Sequence, residues 1–172
     1  MAFLKNAAVL VDAICDALVS LNHENSEGYT ANASAYIEEL NILDASYQSM
    51  ADAAEIKTVL FGDRFPFRYL VDDYGLDYYA AFVGCSAESE ASFETIAFLA
   101  NKVDELGLST VLTLEGTNHR IAETIVSASK GRSAQILSMD SMQSTTLKDV
   151  KNGATYLSIM EKNLAVLTDA LK

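Results

Sequence analysis

Thr58-Val59-Leu60-Phe61-Gly62 is a short apolar run that ends in a glycine, and the chain contains three more runs of this kind. They are Tyr78–Val83 before Gly84, Thr110–Leu114 before Glu115, and Ala134–Leu137 shortly before Asp140. Apolar and polar residues do not alternate in these runs, which is typical of strands covered on both faces. Helical patterns at 66–74, 93–106 and 121–129 separate the runs, and this alternation indicates βαβ units. The sequence therefore predicts an α/β fold with a four-stranded parallel sheet and helices on both faces.

The part of the chain before the first strand has the periodicity of helices. Four leucine and isoleucine residues predict a first helix over about residues 4–22, namely Leu10, Ile14, Leu18 and Leu21. A longer apolar stripe predicts one long backbone helix that begins near Asn25 or Ser26 and runs towards Ala54. We therefore expect a helical linker segment at 1–55 and an α/β lobe at 56–172. Within the lobe, 141–153 is predicted to be irregular, and a last helix follows it.

The charge and composition of the chain exclude several classes of protein. It has 172 residues, 24 of them acidic and 12 basic, and a net charge of −12. A nucleic-acid partner needs a basic surface, and an anionic membrane would repel this chain, so we expect neither partner. No apolar run approaches the ~20 residues that span a bilayer, and Asp12 and Asp16 interrupt the N-terminal run, so no signal peptide is predicted. Cys15 and Cys85 have no CxxC spacing and predict neither a disulfide framework nor a structural zinc site.

The four predicted strands end in polar loops, and each loop contains a carboxylate. The loops begin with Gly62-Asp63-Arg64, Cys85–Glu90, Glu115-Gly116-Thr117 and Met139–Ser144. Ligands of open α/β sheets bind at the carboxyl ends of the strands, where several oxygens together can hold a hard or borderline cation. Polar loops are also usual at strand ends. From spacing alone, a metal site and an ordinary solvated edge therefore both remain open.

Two alternatives to metal binding follow from the same pattern. Cys85 or Ser86 would be the nucleophile of a small α/β hydrolase or transferase, with His119 as a neighbouring base. A catalytic cysteine needs an activating base, but His119 is expected on the exposed first turn of a helix. The other alternative is a noncatalytic interaction domain that assembles through its exposed helices.

Several segments resemble the metal-binding substrate-binding proteins of ABC transporters, which are the zinc and manganese receptors of bacteria. Gly62–Leu70, followed by Asp73–Leu76, resembles their H-x-A-F-x-Y segment and the Y-G-L after it. Asn25–Asp44 resembles the helix that joins their lobes, and Glu88–Ser92 resembles their E-x-E-P-S turn. Ile121–Ile125 resembles a helix of their C-terminal lobe. Asp140–Ser144 resembles the end of their last strand, and Gly153–Leu164 resembles their closing helix. The resemblance covers essentially the whole chain.

The resemblance also implies a set of site residues. Members of this family hold a metal between two α/β lobes with four side chains, and this chain resembles the linker helix and the C-terminal lobe. Asp140 matches the fourth ligand position, and Arg64 occupies the third, where the adjacent Asp63 would substitute. The first two ligand positions are expected to fall outside the sequence. The carboxylates expected close to this site are Glu88, Glu90 and Glu115.

The function implied by the resemblance is that of a truncated solute receptor without catalysis, which binds zinc or manganese weakly because few ligands are present. Its full-length parent would meet an ABC permease outside the cytoplasm, as a periplasmic protein or a cell-surface lipoprotein. Arg64 is expected to act as an internal cation with an acidic oxygen within ~4 Å of its guanidinium. With the other lobe absent, a homodimer through the helical half or the strand-end edge is predicted. The residues expected to be bare are Phe3, Leu4, Phe65 and Phe67.

Overall fold

The computed structural model describes residues 4–82 and 91–172 of the chain. Residues of interest that lie outside these ranges are Phe3, Cys85, Ser86, Glu88 and Glu90. The chain divides into two compact units, with the boundary between Ser49 and Met50; the sequence-based division into 1–55 and 56–172 stays a prediction. Within the described ranges, no helix combines the length and the hydropathy that crossing a membrane would require.

The helical unit contains α1, Leu4–Leu21, and most of α2, Ser26–Ala53, joined by a short 3-10 turn at His23–Asn25. The prediction of one long N-terminal helix is confirmed, because α2 has 28 residues. The buried residues of α1 are Leu4 and Cys15. Its predicted apolar stripe is instead largely exposed, at 41–84% of each side chain: Leu10, Ile14, Leu18 and Leu21.

The second unit is built around a parallel sheet of four strands in the order β2-β1-β3-β4. The strands are β1, Thr58–Arg64; β2, Asp77–Phe82; β3, Thr110–Leu114; and β4, Gln135–Met139. The predicted fold class is thus confirmed. The first strand extends beyond its apolar run to Arg64, and its register with β2 shifts between Phe61 and Arg64. This extension carries Asp63 into the strand end.

In the described part of this unit, five helices accompany the sheet: α3, Arg68–Tyr74; α4, Phe93–Leu106; α5, Arg120–Ala128; α6, Leu147–Lys151; and α7, Tyr156–Ala170. Helix α6 corrects the prediction that 141–153 is irregular. Thr146 and Asp149 form a capping box there, since each side chain bonds to the other residue's backbone N–H. A helix of five residues is too short to show apolar periodicity, so only this cap could have indicated it.

One face of the sheet is covered by α4 and α5. Leu60 and Val111 pack there against Leu99, Val103 and Ile125, all of them buried. The approach of α5 to β1 is close enough to require a glycine, because a Cβ added at Gly62 would lie 2.6 Å from the Cα of Ala122. This contact fixes the start of α5 beside the carboxyl end of β1.

Leu4, Phe65 and Phe67 are buried, so the prediction that they are bare is wrong. After β1 the chain places Phe65 and Phe67 with Phe61, with ring centroids 5.2 and 5.5 Å from that of Phe61. Phe65 also stacks on Tyr78 at 3.8 Å. These aromatic rings cover one another within the lobe, because each pair gains both burial and a favourable ring geometry.

Candidate functional site

The strand order creates a crevice at the carboxyl ends of β1 and β3. The chain leaves β1 through α3 towards β2, and it leaves β3 through α5 towards β4 on the opposite side. Such a reversal of strand order is where open α/β sheets bind their ligands. Two cavities lie along this edge.

We call the first the switch cavity. It has a volume of about 390 Å³ and lies between the ends of β1 and β3; its lining is Gly62–Arg64, Phe82 and Gly116–Ile121. We call the second, of about 310 Å³, the acidic cavity, which lies between the ends of β3 and β4. Its polar lining residues are Glu115, Asp140, Ser144, Thr145, Asp149 and Lys162. Gly116 lines both cavities.

Asp63 is buried in the wall of the switch cavity, and both of its oxygens are used inside the protein. Its Oδ1 accepts a hydrogen bond of 2.8 Å from the backbone N–H of Arg64. Its Oδ2 accepts one of 3.3 Å from the backbone N–H of Leu114, at the end of β3. Asp63 therefore ties the ends of β1 and β3 together.

Arg64 lies beside this carboxylate. Its Nε is 3.8 Å from Oδ1 of Asp63, and its side chain is 40% exposed. An acidic oxygen thus lies within the expected distance of the guanidinium. Among the described residues, this partner is Asp63 and not Asp140.

Glu115 closes the loop that follows β4. Its Oε2 accepts a hydrogen bond from the backbone N–H of Ser141 at 2.8 Å. Its Oε1 accepts from the hydroxyls of Ser141 at 2.7 Å and Ser144 at 3.2 Å. Partial burial by itself would raise the pKa of Glu115, but the hydrogen bonds from Ser141 and Ser144 lower it below its ordinary value. Glu115 is therefore a carboxylate at neutral pH that holds the loop.

Asp140 follows β4 and lines the acidic cavity. Its backbone N–H donates to Oδ1 of Asn163, and its carbonyl accepts from Nδ2 of Asn163, both at 2.8 Å. Its Oδ1 accepts from the backbone N–H of Met142 at 2.7 Å, whereas its Oδ2 has no hydrogen bond to another described residue. The sequence reasoning missed Asn163, although an asparagine within the apolar pattern of α7 is a signal for such a role.

The structure brings only some of the predicted site residues together. Asp140 and Glu115 line one cavity, whereas Asp63 and Arg64 line the other. Over residues 4–82 and 91–172, no group of three or more His, Cys, Asp or Glu side chains has an arrangement that would hold a metal ion. Glu88 and Glu90 are outside those ranges, as are Cys85 and Ser86, the nucleophiles of the enzymatic alternative.

His119 is placed differently from the prediction. It precedes α5 rather than lying in its first turn, with a left-handed φ of 53°, and it is half-buried. Its Nδ1 is 2.8 Å from Oγ1 of Thr113, and this oxygen is 2.9 Å from Oγ of Ser138. The ring is thus held against β3 and β4 by a polar chain that spans two strands, and such long-range pairing leaves no mark in local sequence.

Comparison with known proteins gives consistent results. The model of the family described as "ZnuA: Zinc-uptake complex component A periplasmic" matches residues 4–170. The zinc-binding protein AdcA of Streptococcus pyogenes serotype M18 is 31% identical over 158 residues, which are 92% of this chain and 30% of AdcA. The chain therefore spans less than a third of this relative.

Two solved structures share the fold along nearly the whole chain. The Zn(II)-bound ZnuA-like domain of Streptococcus pneumoniae AdcA is 30% identical with a TM-score of 0.76, and the match covers 98% of this chain and 61% of that one. The metal-dependent lipoprotein YcdH of Bacillus subtilis is 26% identical with a TM-score of 0.84, and the match covers 99% and 63% of the two chains.

Proposed function

Because the chain belongs to the ZnuA family of zinc-uptake components, we propose that it is the linker helix and C-terminal lobe of a zinc or manganese solute-binding protein. In this role it would receive the ion outside the cytoplasm and deliver it to an ABC permease. The proposal is supported by relatives described as periplasmic or as a lipoprotein. Since the chain spans 30% of AdcA, the uptake of metal is a property of the whole protein that we propose for it.

The observation that carries this proposal is the geometry of Asp140. Two hydrogen bonds with Asn163, one donated by each residue, fix its backbone at the end of β4. Its Oδ1 accepts from the N–H of Met142, which leaves Oδ2 without a described hydrogen-bond partner in the lining of the acidic cavity. A carboxylate that is oriented in this way by neighbouring groups is suited to bind a divalent cation.

We expect the binding of metal by this chain to be weak. Asp140 offers one oxygen, whereas the oxygens of Glu115 and Asp63 are engaged by Ser141, Ser144, Leu114 and Arg64. A closed zinc site has about four protein ligands. An ion held here would therefore keep much of its water, with Asp63 as a second ligand only if its internal hydrogen bonds break.

Calorimetric titration of chelator-treated protein with zinc and with manganese tests the proposal. Asp140→Asn retains an oxygen that can accept from Met142, so it should fold normally and bind zinc at least about tenfold more weakly. Asp72→Asn, on the exposed carboxylate that pairs with Arg68, is the matched control and should bind zinc like the wild type. Equal zinc affinity for Asp140→Asn and the wild type, or equal losses in both variants, would contradict the assignment.

The enzymatic alternative is not favoured. Its nucleophiles, Cys85 and Ser86, are outside the described residues, and the matching family consists of metal-binding transport receptors rather than typical enzymes. His119, the predicted base, has its Nδ1 engaged with Thr113.

The proposal extends to a homodimer formed through α1. Val11, Ile14, Leu18 and Leu21 follow the alternating three- and four-residue spacing of a coiled-coil seam. Ile14 is 60% exposed and Leu21 is 84% exposed, so the seam is open to a partner. A second copy presents the same seam, and pairing the two would remove both apolar stripes from water. The strand-end edge is less suited, because Phe65 and Phe67 are buried there.

A further inference from the structure

We propose that the switch cavity binds a small phosphate-type oxyanion, held by Arg64 and Arg120. This inference goes beyond metal binding, for which the main proposed ligand, Asp140, lines the neighbouring acidic cavity. The switch cavity lies in the crevice where the strand order reverses, and its volume of about 390 Å³ is ample for a small ion and its water. Binding of an oxyanion in this cavity would require neither a metal ion nor a second lobe.

The charges that line the cavity do not balance. Among the described residues of the lining, Arg64 and Arg120 contribute two guanidinium groups and Asp63 contributes the one carboxylate. Asp63 already accepts two backbone hydrogen bonds and lies beside Arg64. Arg120 forms no ion pair with any carboxylate in the described ranges. The described part of the lining therefore carries excess positive charge in a protein whose net charge is −12.

The hydrogen-bonding groups of the described lining are also unbalanced. An acceptor oxygen bonds within the protein, whereas several N–H donors have no described partner. Oδ1 of Asn118 accepts from the backbone N–H of Arg120 at 3.3 Å, which leaves its amide Nδ2 without a described partner. The guanidinium of Arg120 has no hydrogen bond to the described residues. A ligand that supplies several acceptor oxygens would satisfy these donors, and a cation would not.

The geometry of the guanidinium N–H donors favours one class of ligand, the oxyanions. Guanidinium groups present paired N–H donors in a plane that matches the oxygens of phosphate and carboxylate groups. The start of α5, at Arg120 and Ile121, lines the same cavity, and the positive end of a helix dipole adds to the attraction for an anion. Among oxyanions we commit to phosphate, because its four oxygens can serve the two arginines and the Asn118 amide together.

An amide NMR titration of the chelator-treated chain with sodium phosphate tests this inference, with sodium chloride at equal ionic strength as the reference. Phosphate, and not chloride, should shift the resonances of Gly116–Arg120. Arg120→Gln and Arg64→Gln should each weaken phosphate binding by at least about tenfold. Arg68→Gln removes the same charge from an exposed arginine outside the cavity lining, and it should change the affinity by less than about twofold.

Three results would overturn the inference. They are the absence of phosphate-specific shifts in Gly116–Arg120, equal losses in Arg68→Gln and Arg120→Gln, and tighter binding of citrate than of phosphate to this cavity. The outcome is independent of the zinc experiment, because Asp140→Asn should leave the phosphate titration unchanged. A chain that fails to bind zinc but binds phosphate through Arg120 would refute the metal proposal and support this one.

Discussion

Asn163, buried on α7, exchanges two hydrogen bonds of 2.8 Å with the backbone of Asp140, as donor in one and acceptor in the other. The amide thus continues the pairing of β4 beyond the end of the sheet, in the manner of a neighbouring strand. Because Asn163 is only 1% exposed, its side chain is out of reach of the water that would otherwise satisfy these groups.

Asn163→Ala should destabilise the fold by about 2–4 kcal/mol, since it leaves the N–H and the carbonyl of Asp140 without partners. Urea unfolding followed by circular dichroism measures this change in the free energy of unfolding. Asn101→Ala, at an exposed position of α4, is the control and should change it by less than about 0.5 kcal/mol. Similar values for the two variants would show that the pairing contributes nothing.

The hydrogen bonds of Glu115 predict a dependence of stability on pH. The pKa of Glu115 is lower in the folded protein than its ordinary value of 4.5. Its stabilising contribution is therefore present above that value and is lost as the pH falls through the folded pKa. Urea unfolding between about pH 7 and about pH 3 should show a smaller acid-induced loss of stability for Glu115→Gln than for the wild type. Parallel pH profiles for the two proteins would contradict this prediction.

Gly62→Ala should destabilise the protein by about 1–3 kcal/mol, because the new Cβ would lie 2.6 Å from the Cα of Ala122 and force α5 away from β1. Gly28→Ala is the matched control, since nothing lies within 4 Å of its new Cβ and the residue is within α2. It should stabilise the protein by up to about 1 kcal/mol. Thermal unfolding distinguishes a loss of stability from a gain. An unchanged stability for Gly62→Ala would show that α5 is free to shift.

The exposed seam of α1 predicts the oligomeric state. Light scattering at micromolar concentration should give the mass of a dimer, and Ile14→Glu should give that of a monomer because it places like charges across the seam. Thr30→Glu, at an exposed position of α2, adds the same charge elsewhere and should leave the dimer intact. A monomeric mass for the wild type, unchanged when salt screens the acidic charge, refutes the α1 dimer.

Much of the fold could be predicted from the sequence because each strand overlaps one apolar run. Thr110–Leu114 and Phe93–Leu106 are predicted with the bounds that the structure has. The exposure of α1 was less predictable, because periodicity indicates which residues share a face but not whether a partner covers it. The expectation that the other lobe is absent predicts Phe65 and Phe67 at the surface, whereas their burial follows from ring contacts with Phe61 and Tyr78.

The candidate site was predictable only as an edge of the sheet. The strand ends were enough to select Asp63, Glu115 and Asp140. Which oxygens are free depends on partners distant in sequence, such as Leu114 for Asp63 and Asn163 beside Asp140. Local patterns carry no information on such pairs, so the separation of an acidic cavity from an arginine-lined one could come only from the structure.

Gly116 lines both of these cavities, and its φ of 71° places it in the left-handed region. The backbone at Gly116 therefore separates the switch cavity from the acidic cavity. A ligand in either cavity would bias the conformation of the same loop. Thermodynamic reciprocity then applies: by whatever factor phosphate changes the affinity for a divalent cation, the cation changes the affinity for phosphate by the same factor. The loop from Glu115 to Thr117 would thereby link the binding of the two ligands proposed for this edge of the sheet.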